Sequence, residues 1–319
     1  MRLSSWRWTA LLGIALVANP QSRPFIAGAS ARQPFDTVMP GQLITIFAAA
    51  PGMRLDREVQ PSGTTLVNSL EGVVVEVIQF GNWLPLPIQS IRPYTNCEKI
   101  VPLPGVLEEC PAGIAIIAQV PYELESPLPV HSSVVAPCKL LSLRVNESPR
   151  SYFSVCTPID QPAVLGRACR SGVAGCPPEV LRASDGRVVD FDRPAREGDL
   201  LSLYVVGLGP TDPPLKTGVP NPSGSLPALR FPPEVILEFG LNASPRRRLF
   251  MFSSSPSLVK IEPLYLGPAP SLIGTFQVNL RLPKPPTGLP RCDGPNTTNA
   301  TISIVGYSAG DGVSFCVDP

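Results

Sequence analysis

The sequence has 319 residues, enough for about two domains, and carries 41 Pro and 26 Gly, with 44% hydrophobic and only 16% charged residues. The apolar content excludes a chain that is disordered throughout. The proline content excludes a fold of long helices, because the ring removes a backbone N–H and clashes with the preceding helical turn. With a formal net charge of +1 and Arg246-Arg247-Arg248 as the one basic cluster, nucleic acid is not an expected partner.

In chain order, Arg2 and Arg7 precede an apolar run over 9–18 that is too short to span a bilayer. Ala27-Gly28-Ala29 and Ala29-Ser30-Ala31 are small-residue cleavage sites. Residues 1–31 therefore read as a secretory signal, cut after Ala29 or Ala31, and no membrane span is expected after it is removed. Pro40-Gly41 opens a strand over 42–48. Val73-Val74-Val75-Glu76-Val77-Ile78 is the strongest strand signal, with Gly81-Asn82 as its turn. Leu84-Pro85-Leu86-Pro87 leads into Ile88-Gln89-Ser90-Ile91. Further strands are expected over 114–120, over 130–136 with 139–145 as one broken strand, and over 151–155. Residues 157–197 form a join that contains an Asp185-Gly186 turn and Val188-Val189-Asp190-Phe191. Beyond it, strands are expected over 200–206, 233–239, 249–252, 258–266, 274–282, 301–305 and 313–317. A Pro-, Gly- and Ser-rich loop fills 211–227. No segment keeps an apolar 3.6-residue period over twelve residues. Short strands between Pro/Gly turns predict β-sandwiches.

The strands also suggest duplication. Gln119 and Gln277 are 158 residues apart, Gly41 and Gly198 157, Glu76 and Glu238 162, and Cys156 and Cys316 160, each in similar surroundings and in the same order. We expect a signal at 1–31, a first β unit at 32–159 and a second at 160–319.

The 8 Cys suit disulfides in an oxidising compartment, secreted, periplasmic or at the cell surface. No Cys-x-x-Cys pair occurs and His131 is the single His, so a structural zinc site is not expected. Cys138 and Cys156 lie nine residues either side of Glu147, so an unbroken hairpin sets them opposite each other. Cys292–Cys316 is the matching pair in the second unit, although it steps over the insertion at 293–299. Cys97–Cys110 and Cys169–Cys176 then close local loops by elimination.

The run Leu203-Tyr204-Val205-Val206-Gly207-Leu208-Gly209-Pro210 follows Asp185-Gly186, Pro194-Ala195 and Glu197-Gly198, and precedes Gly274-Thr275-Phe276-Gln277-Val278-Asn279 and a closing strand with Ser314. In these features residues 185–319 resemble the Solibacter-type uncharacterised C-terminal domain, found in secreted proteins of acidobacteria. Residues 40–156 resemble it more weakly, with Ala48-Ala49-Ala50-Pro51-Gly52 in place of the Gly-Leu-Gly turn, and the cysteines are not part of the pattern. The resemblance implies an immunoglobulin-like domain in an exported protein and implies no activity. The expectation is an all-β protein of two tandem immunoglobulin-like β-sandwich units with long Pro-rich loops.

Candidate chemistry is sparse. His131 stands near Ser132 and Ser133, but a lone His beside Ser is ordinarily a loop or strand-edge residue. Glu108-Glu109 and the Glu123/Glu125 pair read as solvated faces. Asp185, Asp190 and Asp192 lack a calcium-loop pattern. Gly207-Leu208-Gly209-Pro210 lacks the third glycine of a dinucleotide fingerprint and reads as a turn. Asn146, Asn242, Asn296 and Asn299 fit the glycosylation acceptor pattern and are expected to be unmodified turns. We therefore expect no catalytic, cofactor or metal residues. Phe80, Trp83 and Tyr94 form the candidate ligand platform, although Trp83 alone also suits a core. The expected role is surface binding, adhesion or spacing toward a protein or glycan partner. A glycan-binding module and a hydrolase with its site between the units are the alternatives.

Overall fold

The computed structural model describes residues 25–27, 38–49, 53, 55–94, 113–124, 138–146, 149–156, 162–165, 178–245, 258–306 and 310–319. Among these residues the protein is all-β, with no α-helix. The first half holds β1 (Phe25–Ala27), β2 (Leu43–Ala49), β3 (Val73–Gln79), β4 (Asn82–Pro85), β5 (Ile88–Tyr94), β6 (Gly113–Gln119), β7 (Cys138–Val145) and β8 (Ser151–Cys156). The second half holds β9 (Ala163–Leu165), β10 (Leu181–Arg182), β11 (Leu200–Val206), β12 (Thr211–Asp212), β13 (Ala228–Leu229), β14 (Glu234–Phe239), β15 (Leu258–Ile261), β16 (Tyr265–Pro268), β17 (Phe276–Arg281), β18 (Ala300–Val305) and β19 (Gly310–Phe315).

Each half is built on two antiparallel sheets. In the first the orders are β1-β2-β6-β5 and β4-β3-β7-β8; in the second they are β10-β11-β17-β16, with β9 also on β11, and β15-β14-β18-β19. The two sheets of each half share a core, because alternate residues of every long strand point inward. Ile44, Ile46, Val75, Ile116 and Leu141 meet in the first core. Leu203, Leu237, Val278, Ile302 and Phe315 meet in the second.

Backbone pairing corrects the register of the suggested duplication. Gly41 N–H donates to the Val120 carbonyl and Val120 N–H to that of Gln42, at 2.8 Å each; Gly198 and Leu282, then Leu282 and Asp199, repeat this at 2.9 Å. Val120 thus corresponds to Leu282, an offset of 162, and Gln119 to Arg281 rather than Gln277. A slip of four residues leaves every side chain on its original face, so the hydrophobic alternation is blind to it.

Prolines change the strand inventory. The single strand expected over 258–266 is two strands in opposite sheets, β15 and β16, with the break at Glu262-Pro263. Pro263 has no N–H to continue a ladder. In the first half the chain crosses between sheets in the same way at Leu86-Pro87, from β4 to β5. Val188 makes an isolated bridge to Leu181 instead of starting a strand. The strands expected over 130–136 and 249–252 lie outside the described residues. Phe25–Ala27 pairs with Thr45–Phe47 as an edge strand, so both expected cleavage sites fall after a segment that sits in the sheet.

Candidate functional site

Cys138 faces Cys156 at the end of the β7–β8 ladder, and the two are disulfide-bonded, as expected. Cys292 and Cys316 are bonded as well, across the insertion. Cys97, Cys110, Cys169, Cys176, His131, Glu108, Glu109, Glu125 and Arg246-Arg247-Arg248 lie outside the described residues. No group of three or more His, Cys, Asp or Glu among the described residues is placed to hold a metal. Asp190 accepts from the backbone and guanidinium of Arg193, both at 2.9 Å. That side-chain hydrogen bond holds its carboxyl below the usual range. Asp185 caps the amide of Arg187. Gly207 and Gly209 have positive φ, as turn glycines do. Asn299 is fully buried: its Nδ2 donates to the carbonyls of Pro290 and Val317, and its Oδ1 accepts from the Val317 N–H. It is a structural cross-link.

The candidate platform is rearranged. The crossover at Leu86-Pro87 puts Trp83 on β4 and Tyr94 on β5, in different sheets. Trp83 instead meets Tyr152 of β8, with ring centroids 6.3 Å apart and planes inclined by 34°. The Arg150 guanidinium lies 4.9 Å from the Trp83 ring centroid and pairs with Glu76 at 2.9 Å. Arg150 thus occupies one face of the indole, a contact worth about 0.5–1 kcal/mol at such a site. Tyr152 remains 50% exposed and Leu140 of β7 40%. Phe80 and Gly81, at φ +50° and +79°, form the two-residue turn between Gln79 and Asn82. Both central residues of such a turn need positive φ, which suits Asn or Gly and not Phe. Phe80 nevertheless takes that conformation with its side chain 81% exposed. Sequence reading found Phe80 and Trp83 but missed Tyr152 and Arg150, whose proximity depends on the order of strands across the sheet.

The outer face of the first half's β2-β6-β5 sheet is covered by the second half. Gln119 is wholly buried there. Its Nε2 donates to the Gly41 carbonyl at 3.0 Å and its Oε1 accepts from Gly218 N–H at 2.7 Å. Leu66 N–H donates to the Gly218 carbonyl at 2.7 Å. The Thr217 hydroxyl accepts from Tyr122 N–H at 2.8 Å and donates to Glu123. Leu43, Leu66 and Ile117 pack with Ile273. The 211–227 loop, which reads in the sequence as a plain connector, supplies the polar half of this seam. Gly274 supplies its closest approach: a Cβ there would stand 2.0 Å from the Gly41 carbonyl oxygen.

Beside the seam is a cleft of about 250 Å³, lined by Leu43, Leu66, Gln89, Gln60, Pro61, Gly63 and Thr64 on one side and by Pro220 and Ser271–Ile273 on the other. Among the described residues no ionisable side chain lines it. The Asn221 amide holds the second wall by donating to the carbonyls of Ala269 and Thr275. No protein-family model matches the chain, and no curated protein matches its sequence. No helix among the described residues is long and apolar enough to cross a membrane.

Proposed function

We propose that this chain is a secreted, non-catalytic protein of two tandem immunoglobulin-like β-sandwich units, descended from one duplicated unit, that binds a protein partner at the cell surface through the aromatic face of its first unit. The observation that carries the reading is Phe80. A bulky side chain held in the left-handed region and exposed to water costs stability on both counts and recovers none through packing. It crowns the hairpin that bears Trp83, in the sheet that also exposes Tyr152 and Leu140. Exposed aromatic and aliphatic groups gathered on one sheet are the composition of an interaction surface.

Support for the tandem reading is the shared strand order. In each half a sheet of β10-β11-β17-β16 type accompanies one of β15-β14-β18-β19 type, an arrangement of the kind immunoglobulin-like sandwiches use. Two disulfides suit an oxidising compartment. The Solibacter-type resemblance of residues 185–319 points to an exported protein as well. Arg150 over Trp83 favours a protein partner over a glycan, since a sugar ring stacks on a free aromatic face.

The test replaces Phe80 with a photo-crosslinking phenylalanine analogue and exposes the protein to cell-envelope fractions. A discrete protein adduct that Tyr152→Ala abolishes supports the reading. Glycan-array binding lost in Phe80→Ala would move it to the glycan alternative, and turnover in a hydrolase panel would end the non-catalytic claim.

A further inference from the structure

Natural sheets keep their edges from pairing with other chains by short length, charge, proline, bulges or cover. Nearly every edge among the described residues is guarded in one of these ways. β1, β4, β9, β10, β12, β13 and β16 have four residues or fewer. β5 carries a bulge at Gln89, where Ile88 pairs with Ala118 and Ser90 with Ile117, and it is bridged by Val59 and Val67. β15 presents the charged Lys260. β19 is met by β9, whose Val164 N–H donates to Asp311 at 3.0 Å.

β8 is the exception. Ser151-Tyr152-Phe153-Ser154-Val155-Cys156 holds no charge and no proline, and pairs with β7 without a bulge. It takes the place in the first half that β19 takes in the second: Val38 N–H donates to the Cys156 carbonyl at 3.0 Å, as Ala195 N–H does to that of Cys316 at 2.9 Å. The Val38 bond also fixes which backbone groups of β8 face outward. The Cys156 carbonyl points away from β7, so in an antiparallel ladder the N–H and C=O of Ser154 and Tyr152, at alternate positions, point away as well. They have no backbone partner on that side among the described residues. Both residues are exposed.

We propose that β8 pairs antiparallel with β8 of a second copy of this chain, about a two-fold axis at Phe153. Such an edge is its own complement. The two-fold sets Tyr152 of each copy opposite Ser154 of the other, and each of these pairs exchanges two N–H···O bonds. A second copy is the occupant that the edge itself favours, because it carries neither the like charge nor the proline that would oppose self-pairing. The β4-β3-β7-β8 sheets then run on as one, four strands from each copy. Both aromatic faces lie on the same side of it, because residues paired across a ladder share a face. Pairing goes through the backbone, so it stands whether or not those faces bind a partner.

Sedimentation velocity of the full chain over a concentration series is the test, and a reversible monomer–dimer equilibrium is the expected result. Ser154→Pro removes an outward N–H and leaves the β7 ladder intact. One bond is lost in each direction, so the dimer is expected to weaken by about tenfold or more. Ser154→Ala keeps the N–H and is expected to dimerise like the parent. Ser154→Lys leaves the backbone unchanged and sets like charges about 7–8 Å apart across the axis. It is expected to dissociate the dimer at low salt, and mixing it with Ser154→Glu is expected to restore one. The proposal is overturned by a parent chain that stays monomeric up to about 0.1 mM. A dimer that both Ser154→Pro and Ser154→Lys leave intact overturns it too. A monomeric chain whose Phe80 crosslink is lost in Ser154→Pro would assign the edge to a foreign strand instead of a second copy, and overturns it as well.

Discussion

Tyr122 and Asn299 show how far one buried polar side chain depends on its neighbours. The Tyr122 ring lies against Gly41, where a Cβ would stand 2.0 Å from its Cε1, and its hydroxyl is buried without a partner among the described residues. Burial, and after it the charge of Glu123, raises the phenol above the usual tyrosine range. The unfolded chain gives up this proton near pH 10 whereas the folded protein keeps it, so stability falls as pH rises past about 10. Tyr122→Phe is expected to reduce that alkaline loss and to leave stability at neutral pH unchanged or slightly higher. Urea midpoints at about pH 8 and about pH 10.5 check it; an unchanged alkaline slope would refute it. Asn299→Ala, by contrast, strips partners from Pro290 and Val317 beside the second core. It is expected to cost about 2–4 kcal/mol in denaturant unfolding, and a loss below about 1 kcal/mol would mean that water replaces the amide.

At the level of elements, hairpins carry both the strain and the staples. The β3–β4 turn holds Phe80 at φ +50°. Phe80→Asn suits that conformation and is expected to stabilise the protein by about 1 kcal/mol, measured as a raised thermal midpoint, while weakening the crosslinked partner. A rise in stability with no loss of partner would separate the turn from binding. The β7–β8 hairpin is closed by Cys138–Cys156 over a separation of 18 residues, and Cys292–Cys316 closes 24. Replacing either pair by alanines is expected to cost about 2–4 kcal/mol through the unfolded state. Non-reducing peptide mapping that links Cys138 elsewhere would break the register on which this rests.

Over the whole molecule, the seam joins the two halves through a few backbone and side-chain contacts. Gln119, Gly218, Leu66 and Thr217 tie the backbones together, and Gly274 at φ +62° lets them touch. Gly274→Ala would push a methyl group into the Gly41 carbonyl and strain the backbone as well. Calorimetry is expected to show one transition for the parent chain and two for the variant, with the seam weakened by about 2 kcal/mol or more. A single unshifted transition in the variant would mean that the halves are not coupled through this contact. That result would leave the aromatic face to be judged on its own test.

The sequence by itself determined the local features: an all-β chain, most strand positions, the end of β11 before Gly207, and the pairing of Cys138 with Cys156. Each follows from alternation, proline and glycine placement, or symmetry about a turn, which act over a few residues. The tertiary structure alone decided what lies next to what. Alternation repeats every two residues, so it admits the four-residue slip that equated Gln119 with Gln277. It carries no record of the sheet a strand joins, so Trp83 and Tyr94 look like neighbours until Pro87 turns the chain to the opposite sheet. The bulge at Gln89 and the reach of Gly218 to Gln119 arise from packing between distant segments, where geometry rather than residue type chooses the partner.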